Sequence, residues 1–426
     1  MLRSSAVLKQ VSIYLLLTSM LICFPGVVIS LHAQSNGITI TGNKTAQTLR
    51  EAVEIAQPGD TLSLSEGVYT AENLKITKSL TIQGIAGAVI DLESKGFGLV
   101  VNAENVMLRD FEIRDSGYGF MEDFAAILIE DSKNVTVDNV RLIDNFFSIY
   151  VAKSSELMIT NNYIESKAER QTTSGNGVHI WYSKDVEVHN NEIKGQRDGI
   201  YLEFVERSQI SGNNVEGNIR YGLHFMYSDD CSYIGNRFRD NVSGVAVMYS
   251  KNVIMHHNHF IENWGANRYG LLLKEITDSD IKFNLFKKNS VGIYAEASNR
   301  INIERNEFYE NGTGLRIMAN GVDNRISLNN FIGNTFEVKT NSMQNPNVYS
   351  ENYWSQYEGY DLDRDGIGDV PYRPVRLFSI LTERQPSSLI LLHSTMVKLL
   401  DTAERVMPAL TPEELKDEKP RMEAIQ

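Results

Sequence analysis

The sharpest local motif in the sequence is an acidic loop in which aspartates recur at alternate positions. Asp361, Asp363 and Asp365 are followed at once by glycine, and Asp369 occupies the ninth position of the same loop. Carboxylates at this spacing can converge on one hard cation such as Ca²⁺, and the glycine permits the tight turn. A full EF-hand has a bidentate glutamate at the twelfth position, where this sequence has Tyr372. We therefore expect a structural calcium loop, the alternative being a solvated acidic turn.

Histidine and methionine side chains form a second set of candidate ligands, which emerges when a short repeated unit is aligned with itself. The unit reads Gly-apolar-x-apolar-x. Because strand residues alternate between two faces, both x positions should point away from the interior. The first x column reads His179, Tyr201, His224, Ala246, Leu272, Tyr294 and Arg316, and the second reads Trp181, Glu203, Met226, Met248, Lys274, Glu296 and Met318.

Two methionines in the second column suggest a copper site. Met226 and Met248 should lie side by side at about 4.8 Å, with His224 two residues along the strand and His179 nearby. Thioether and imidazole groups together suit Cu(I). The residues alone favour a simpler alternative, in which this face is apolar because a loop or a partner covers it.

A histidine cluster offers another candidate copper site. His256 and His257 should lie at a bend, and His259 should face outward from the strand that follows. Histidine is the commonest metal ligand, but clustered surface histidines are often merely solvated. Both interpretations stay open at this point.

The elements that position these side chains are short strands that recur along the chain. An Asn-x-apolar step returns about every 23 residues, at Asn162, Asn191, Asn213, Asn236, Asn258, Asn284, Asn306 and Asn329. Apolar residues alternate with polar ones over a few positions, which is the spacing of strands. Three short strands per period indicate one coil of a right-handed parallel β-helix. We predict an all-β protein with a single solenoid of about 11 coils.

The repeated asparagines should sit at the bends between strands. Their side chains tolerate left-handed backbone dihedrals, and stacked amides can form a hydrogen-bonded ladder from coil to coil. The absence of repeated leucines and of a helical half argues against a leucine-rich repeat.

Changes in composition predict a cap at each end of the solenoid. Residues 34–73 include helical spacing over 45–57 and should cover the first coil, and the coils should occupy 74–345. The aromatic and acidic segment 346–374 should close the other end. Residues 375–426 are predicted to form a helical tail, with Thr411–Glu414 resembling a capping box for a last short helix.

The tail carries a candidate docking element. Leu389, Leu392, Met396 and Leu399 recur on one face of a helical stretch predicted over 387–406. This apolar stripe is wider than a solvated helix needs. Either it folds back along the solenoid, or it docks on a membrane partner.

The first 33 residues have the features of an export signal. Arg3 and Lys9 flank the start of an apolar run over 11–24, and Ala33 offers a small residue for cleavage. The run is too short for a bilayer core of about 30 Å, so a retained anchor is the weaker alternative. We expect an exported, mature protein.

Overall charge excludes one class of partner. The chain has a formal charge of −13 and no basic block, so it is a poor match for the phosphate backbone of nucleic acid. Its 42% hydrophobic residues are enough for a sizeable core.

Catalytic motifs of pectin- and alginate-acting β-helix enzymes are missing from the sequence. It has no Gly-His-Gly, no Asp-Pro-His-Asp, and no Asp-Asp pair beside a basic cluster. Asp198 and Glu203 flank one strand without an evident partner base, so we expect them to be ordinary outward residues. The sequence therefore predicts no catalytic residues.

Two sequence features recur together in this chain, the order His-x-Trp/Met-Tyr-Ser and the Asp-x-Asp-x-Asp-Gly block, and they lie in residues 175–184, 199–204, 220–228, 244–251 and 352–372. In these segments the sequence resembles the NosD family, the periplasmic maturation proteins of nitrous oxide reductase. The resemblance covers about 38–400. It implies a non-enzymatic periplasmic component that helps to build the copper centres of the reductase. It also implies an ABC-type permease and ATPase and a copper chaperone as partners, but it brings no set of copper ligands.

A polysaccharide-processing enzyme or a carbohydrate-binding protein is the main alternative for a β-helix. The enzyme should show paired carboxylates, or a cluster of histidine, tyrosine and arginine in a groove along the coils. An assembly factor should show outward histidine and methionine and an apolar docking element, as this sequence does.

Overall fold

The computed structural model describes residues 37–119, 121–266, 268–344, 346–406, 411–412 and 414–426. The predicted export signal, residues 1–33, lies outside the described residues. The described chain forms a β-solenoid of about 13 turns, so the all-β fold is confirmed and the predicted count of about 11 is too low. The difference arises because parallel strands begin at Thr61 and continue to Trp354, beyond the predicted 74–345.

Three long sheets, here called A, B and C, form the walls of the solenoid. Along the chain, each turn contributes one strand to A, then one to B, then one to C. The described strands of sheet A are Ile38–Ile40, Lys44–Ala46, Thr61–Leu64, Thr81–Gly84, Glu104–Arg109, Lys133–Asp138, Ser155–Thr160, Lys184–His189, Gln209–Ser211, Ser232–Ile234, Ile254–His256, Asp280–Lys282, Asn302–Glu304, Arg325–Ser327 and Val348–Ser350.

Sheets B and C run beside sheet A. The strands of sheet B are Gly67–Thr70, Ala88–Lys95, Glu112–Ser116, Arg141–Ile143, Tyr163–Glu165, Glu192–Lys194, Asn214–Glu216, Arg237–Arg239, His259–Ile261, Leu285–Lys287, Glu307–Tyr309, Asn330–Ile332 and Tyr353–Trp354. Those of sheet C are Leu74–Ile76, Leu99–Val101, Ala125–Glu130, Phe147–Ala152, Val178–Trp181, Asp198–Glu203, Tyr221–Met226, Ser243–Met248, Tyr269–Lys274, Val291–Glu296, Thr313–Ile317 and Phe336–Lys339.

The asparagine ladder is confirmed, with one correction to its geometry. Side-chain amides donate to the next amide oxygen at 2.9–3.1 Å along Asn162, Asn191, Asn213, Asn236, Asn258, Asn284, Asn306, Asn329 and Asn352. The left-handed residue is not the ladder asparagine but the residue before it, as at His257 (φ 56°) and Phe283 (φ 57°). The preceding residue makes the bend, and the asparagine side chain turns inward to join the ladder.

Aromatic rings fill the interior at the C-terminal end of the solenoid. Adjacent ring centroids lie 4.3–5.6 Å apart along Phe238, Phe260, Phe286, Phe308, Phe331 and Trp354. All of these side chains are buried. Because each ring covers the one below it, the last ring needs a separate cover.

Helix α1 (Leu49–Ile55) precedes the first parallel strand and packs on the core at the N-terminal end of the described chain. The hydroxyl of Thr48 accepts a hydrogen bond from the Glu51 N–H at 3.2 Å, which satisfies one free donor of the first turn. Leu49 and Val53 are buried against the core, as their spacing predicts.

The last residues of the chain close the C-terminal end. The buried Asp417 carboxylate accepts from the backbone and side-chain N–H groups of Asn352 at 3.0 Å, and from Trp354 Nε1 at 3.0 Å. Asp417 is therefore the final member of the asparagine ladder, and it also holds the final ring of the core stack. Leu415 is fully buried beside it.

The predicted helical tail is thus only partly correct. Residues 414–426 contain no helix, because they lie extended on the last coil through bridges such as Tyr349 to Asp417. Of the predicted capping box, Glu413 lies outside the described residues. The helices lie within residues 377–406, between the last coil and residues 414–426. This helical segment, here called the helical excursion, is therefore followed as well as preceded by residues that lie on the solenoid.

The excursion contains two helices instead of the single stretch predicted over 387–406. Helix α2 (Leu377–Arg384) is followed by a 3₁₀ turn, Pro386–Leu391, and then by helix α3 (Thr395–Val406). The Phe378 ring in α2 lies 6.2 Å from that of Phe336 on sheet C. Among the described residues, no helix combines the length and apolar character needed to cross a membrane.

Candidate functional site

The outer face of sheet C carries the two side-chain columns predicted from the repeat. Its register pairs His179 with Tyr201, Tyr201 with His224, and His224 with Ala246. Met226 pairs directly with Met248. The repeat alignment therefore predicted the neighbours on this face correctly, although side chains of the first column are far less exposed than outward positions usually are.

The first three residues of the first column, together with Tyr150 on the preceding strand, form an aromatic stack. Adjacent ring centroids lie 4.5–4.8 Å apart along Tyr150, His179, Tyr201 and His224. His179 and His224 are only 7% and 5% exposed. Three of their four ring nitrogens, His179 Nε2 and both nitrogens of His224, have no hydrogen-bond partner among the described residues. Buried polar groups are normally paired, so these nitrogens are candidates for binding a ligand.

The hydrogen bonds of Asn176 fix the tautomer of His179. Arg197 Nε donates to Asn176 Oδ1 at 3.1 Å, so the amide nitrogen of Asn176 must face His179 Nδ1, 3.4 Å away. Burial, reinforced by Arg197, lowers the pKa of His179 to about 3 and keeps the ring neutral. The single ring hydrogen is then on Nε2. We therefore leave His179 out of the copper site proposed below, because its free nitrogen is a donor.

Asp198 is not the ordinary outward residue that the sequence predicted. Its carboxylate is fully buried and forms two hydrogen bonds with the Arg220 guanidinium, of which Nε to Oδ1 measures 2.7 Å. Burial opposes its ionisation, but the hydrogen bonds from the Arg220 guanidinium lower the pKa of Asp198 to about 2. Asp198 Oδ2 lies 3.7 Å from His224 Nδ1, too far for a hydrogen bond.

Arg197 and Arg220 were missed by the sequence analysis. Both precede a strand of sheet C at the same position of the repeat, as the hydrogen bond from Arg220 N to Arg197 O at 2.9 Å demonstrates. An Arg-x-Gly pattern at 197–199 and 220–222 was the available signal. With the neighbouring histidines and tyrosines, they form the kind of cluster expected of a β-helix enzyme.

The methionines lie beside the stack. The Tyr201 hydroxyl is 3.4 Å from Met226 Sδ, so this sulfur lies next to the ring that stacks on His224. Met226 and Met248 are half-buried. Imidazole and thioether donors thus share one partly covered face.

The three clustered histidines point in different directions. His256 ends a strand of sheet A, His257 stacks on Phe283 with centroids 5.0 Å apart, and His259 begins a strand of sheet B. Among the described residues, these histidines do not form a group of three metal-ligating side chains. His256 Nε2 is buried and has no hydrogen-bond partner in the described parts of the chain, and burial lowers the pKa of His256.

The acidic loop brings three of its four predicted residues together. Oxygens of Asp361, Asp363 and Asp365 all lie within 4.8 Å of one another. Asp361 Oδ2 also accepts from the Gly366 N–H at 2.9 Å, which shapes the turn. Asp369 instead accepts from the Leu362 N–H at 2.7 Å and closes the base of the loop.

The predicted docking residues lie on the helical excursion. Leu389, Met396 and Leu399 are 45%, 56% and 62% exposed, whereas Leu392 is half-buried. Helix α2 is anchored to the sheet C face by an ion pair between Glu383 and Arg316, the last residue of the first column. Helix α2 therefore lies at the C-terminal end of the face that carries His224, and the apolar side chains follow it in the chain.

Comparison with known proteins relates most of this chain to proteins named NosD. A family model described as periplasmic copper-binding protein (NosD) matches residues 164–359. The resemblance to the NosD family is confirmed. The probable ABC transporter binding protein NosD of Stutzerimonas stutzeri is 28% identical over 379 residues, covering 84% of this chain and 86% of that protein. Its counterpart in Pseudomonas aeruginosa is 29% identical over 409 residues, covering 84% and 87%.

Solved structures add information on the fold alone. The catalytic unit of a thermostable GH87 α-1,3-glucanase from Streptomyces thermodiastaticus superposes with a TM-score of 0.59 at 14% identity, covering 72% of this chain and 62% of that chain. The NosD relatives are named as transporter binding proteins rather than as enzymes.

Proposed function

We propose that this chain is a periplasmic accessory protein for assembly of the copper centres of nitrous oxide reductase. The observation that carries the proposal is the buried His224 imidazole beside Met226 and Met248 on the outer face of sheet C, whose ring nitrogens form no hydrogen bond with the described residues. Similarity to NosD proteins supports it over most of the chain.

Copper is the cargo in this proposal, and His224, Met226 and Met248 are its ligands. Imidazole nitrogen and thioether sulfur are soft donors that favour Cu(I) over hard cations. The half-buried setting restricts access of water while leaving the methionines within reach of a copper chaperone. His256, His257 and His259 are the weaker copper candidates because they diverge.

The proposed membrane partner is an ABC-type permease with its ATPase. The exposed apolar residues of the helical excursion would bind the permease by helix-in-groove recognition. Because helix α2 is attached to sheet C through Glu383 and Arg316, this binding would hold the copper face near the membrane. Nitrous oxide reductase would then receive copper from that face.

The proposal predicts a copper-poor reductase when the methionines are lost. In cells that lack this protein, a plasmid copy should restore the copper content of purified nitrous oxide reductase. A copy carrying Met226→Leu and Met248→Leu should not, because leucine keeps the side-chain volume and removes the thioether. Full copper content with the double variant, made at wild-type protein levels, would refute the role of these residues.

We also propose that the acidic loop holds a structural Ca²⁺ through Asp361, Asp363 and Asp365. The convergence of their oxygens within 4.8 Å supports this. A ligand that binds only the folded state stabilises it, so EGTA should lower the melting temperature relative to excess Ca²⁺. Asp363→Asn should lose much of this response, and Asp240→Asn, on a bend elsewhere, should keep it. Identical melting curves with EGTA and with Ca²⁺ would exclude the ion.

Polysaccharide processing or binding is a second candidate, favoured by the cluster of Asp198, Arg220, His224 and Tyr201. If this is the function, substitution of those residues should leave copper handling unchanged. Depolymerisation of a uronic-acid polymer by the wild type, lost on Asp198→Asn, would favour it over the accessory role.

A further inference from the structure

Arg197 is a half-buried cation that has no anion in direct contact among the described residues. Its Nε donates to the neutral amide oxygen of Asn176 at 3.1 Å, and it forms no ion pair with any described carboxylate. Arg220, its neighbour on the next coil, is instead paired with Asp198. Burial, together with the charge of Arg220, lowers the pKa of Arg197. A charge in this setting destabilises the folded protein unless something neutralises it.

Within the described part of the chain, Asp198 forms its ion pair with Arg220 and none with Arg197. Arg197 and Arg220 are neighbours on successive coils, joined by a backbone hydrogen bond. The guanidinium groups lie over the rings of Phe147 and Tyr201 on sheet C. Asp198 already uses both carboxylate oxygens on Arg220. Two like charges on neighbouring strands repel each other, and the Asp198 carboxylate is in direct contact with only one of the two arginines.

His179 supplies a second hydrogen-bond donor near Arg197. The Asn176 amide contacts Arg197 through its oxygen and His179 through its nitrogen, so the same group holds both side chains. The resulting tautomer puts a hydrogen on His179 Nε2, which is buried and has no partner among the described residues. The Phe147 ring lies close to both, 5.8 Å from the guanidinium and 5.6 Å from the imidazole.

We propose that Arg197 and His179 form a binding site for the carboxylate group of an organic ligand. A guanidinium and an imidazole N–H can each donate to one oxygen of a planar carboxylate, giving charge-assisted hydrogen bonds. The aromatic rings of Phe147, Tyr150 and Tyr201 border these donors, and such a surround suits an organic acid better than a strongly hydrated inorganic anion. The proposal does not involve Met226 or Met248 and stands apart from copper binding.

One carboxylate of the chain itself is the competing occupant. Asp123 is exposed, acts on Arg197 and Tyr150 only at longer range, and belongs to the loop before a strand of sheet C. If this loop closed onto the site, Arg197 would be a structural residue. Its removal would then lower the melting temperature, whereas removal of an unpaired cation should leave the melting temperature unchanged or raise it.

Calorimetric titration of the copper-free protein with sodium galacturonate, sodium acetate and sodium sulfate at constant ionic strength tests the proposal. Galacturonate should bind at about one site per chain, and Arg197→Met and His179→Phe should each weaken binding about tenfold or more. Arg237→Met, on sheet B, should bind as the wild type does. Arg197→Met should melt no lower than the wild type.

Three results of the titrations would overturn the proposal. They are no saturable binding of galacturonate or acetate, unchanged affinity in Arg197→Met, and sulfate binding as tight as that of galacturonate. A lower melting temperature of Arg197→Met that Asp123→Asn reproduces would also overturn it, because the site would then be filled by the protein itself.

Discussion

Replacing Asp417 with alanine should destabilise the protein by about 3 kcal/mol or more, because buried donors lose their acceptor. The Asp417 carboxylate accepts from two N–H groups of Asn352 and from Trp354 Nε1, all of them buried. None of these donors has another described acceptor for the same hydrogen. Urea unfolding followed by circular dichroism should show the midpoint shifted to lower concentration.

A matched control separates this effect from the loss of a surface charge. Glu307→Ala removes an exposed carboxylate from sheet B and should change stability by no more than about 0.5 kcal/mol. Asp417→Asn keeps one acceptor oxygen and should fall between alanine and the wild type. If Asp417→Ala unfolds at the wild-type urea concentration, residues 414–426 are not the cap that closes the solenoid.

Charge on the exposed face of helix α3 should abolish co-purification with the proposed permease. Met396→Asp with Leu399→Asp places two carboxylates where the docking model needs apolar contact, and buried unpaired charges at an interface are strongly unfavourable. These two residues are better targets than Leu392, which is half-buried and contributes to the fold of the excursion. Affinity pull-down from detergent-solubilised membranes measures the effect.

The structure determines which variants can serve as controls in the co-purification experiment. Truncation before Pro386 would remove Asp417 as well, so point substitutions are required. Val68→Asp adds a charge at an apolar side chain that is 53% exposed on sheet B, and it should leave the complex intact. A Met396→Asp, Leu399→Asp protein that melts normally and still co-purifies would place the docking surface elsewhere.

The parts of the fold that repeat were predictable from the sequence. The period of about 23 residues predicted the coils, and the Gly-apolar-x-apolar-x unit predicted that Met226 and Met248 would be neighbours. Both follow from local alternation and from the requirement that successive coils stack in register. The bend geometry was misjudged because an asparagine can serve either as the left-handed residue or as a ladder amide.

The parts that depend on distant, single contacts were not predictable. Asp417 lies 65 residues beyond Asn352, and no pattern in residues 411–426 marks it as a cap. The burial of Asp198 and its pairing with Arg220 depend on contacts between successive coils. Similarly, the tautomer of His179 follows from one amide, Asn176, whose orientation the repeat does not specify.

The most direct test of the proposed copper role is the Cu(I) affinity of the purified protein, measured by competition with a colorimetric chelator. The wild type should bind at about one site, and Met226→Leu with Met248→Leu should bind about tenfold more weakly or worse, with an unchanged circular dichroism spectrum. Met107→Leu with Met158→Leu, on sheet A, is the matched control and should bind like the wild type. Unchanged affinity in the Met226, Met248 variant would contradict the account, and would move the site to His256, His257 and His259 or away from this protein.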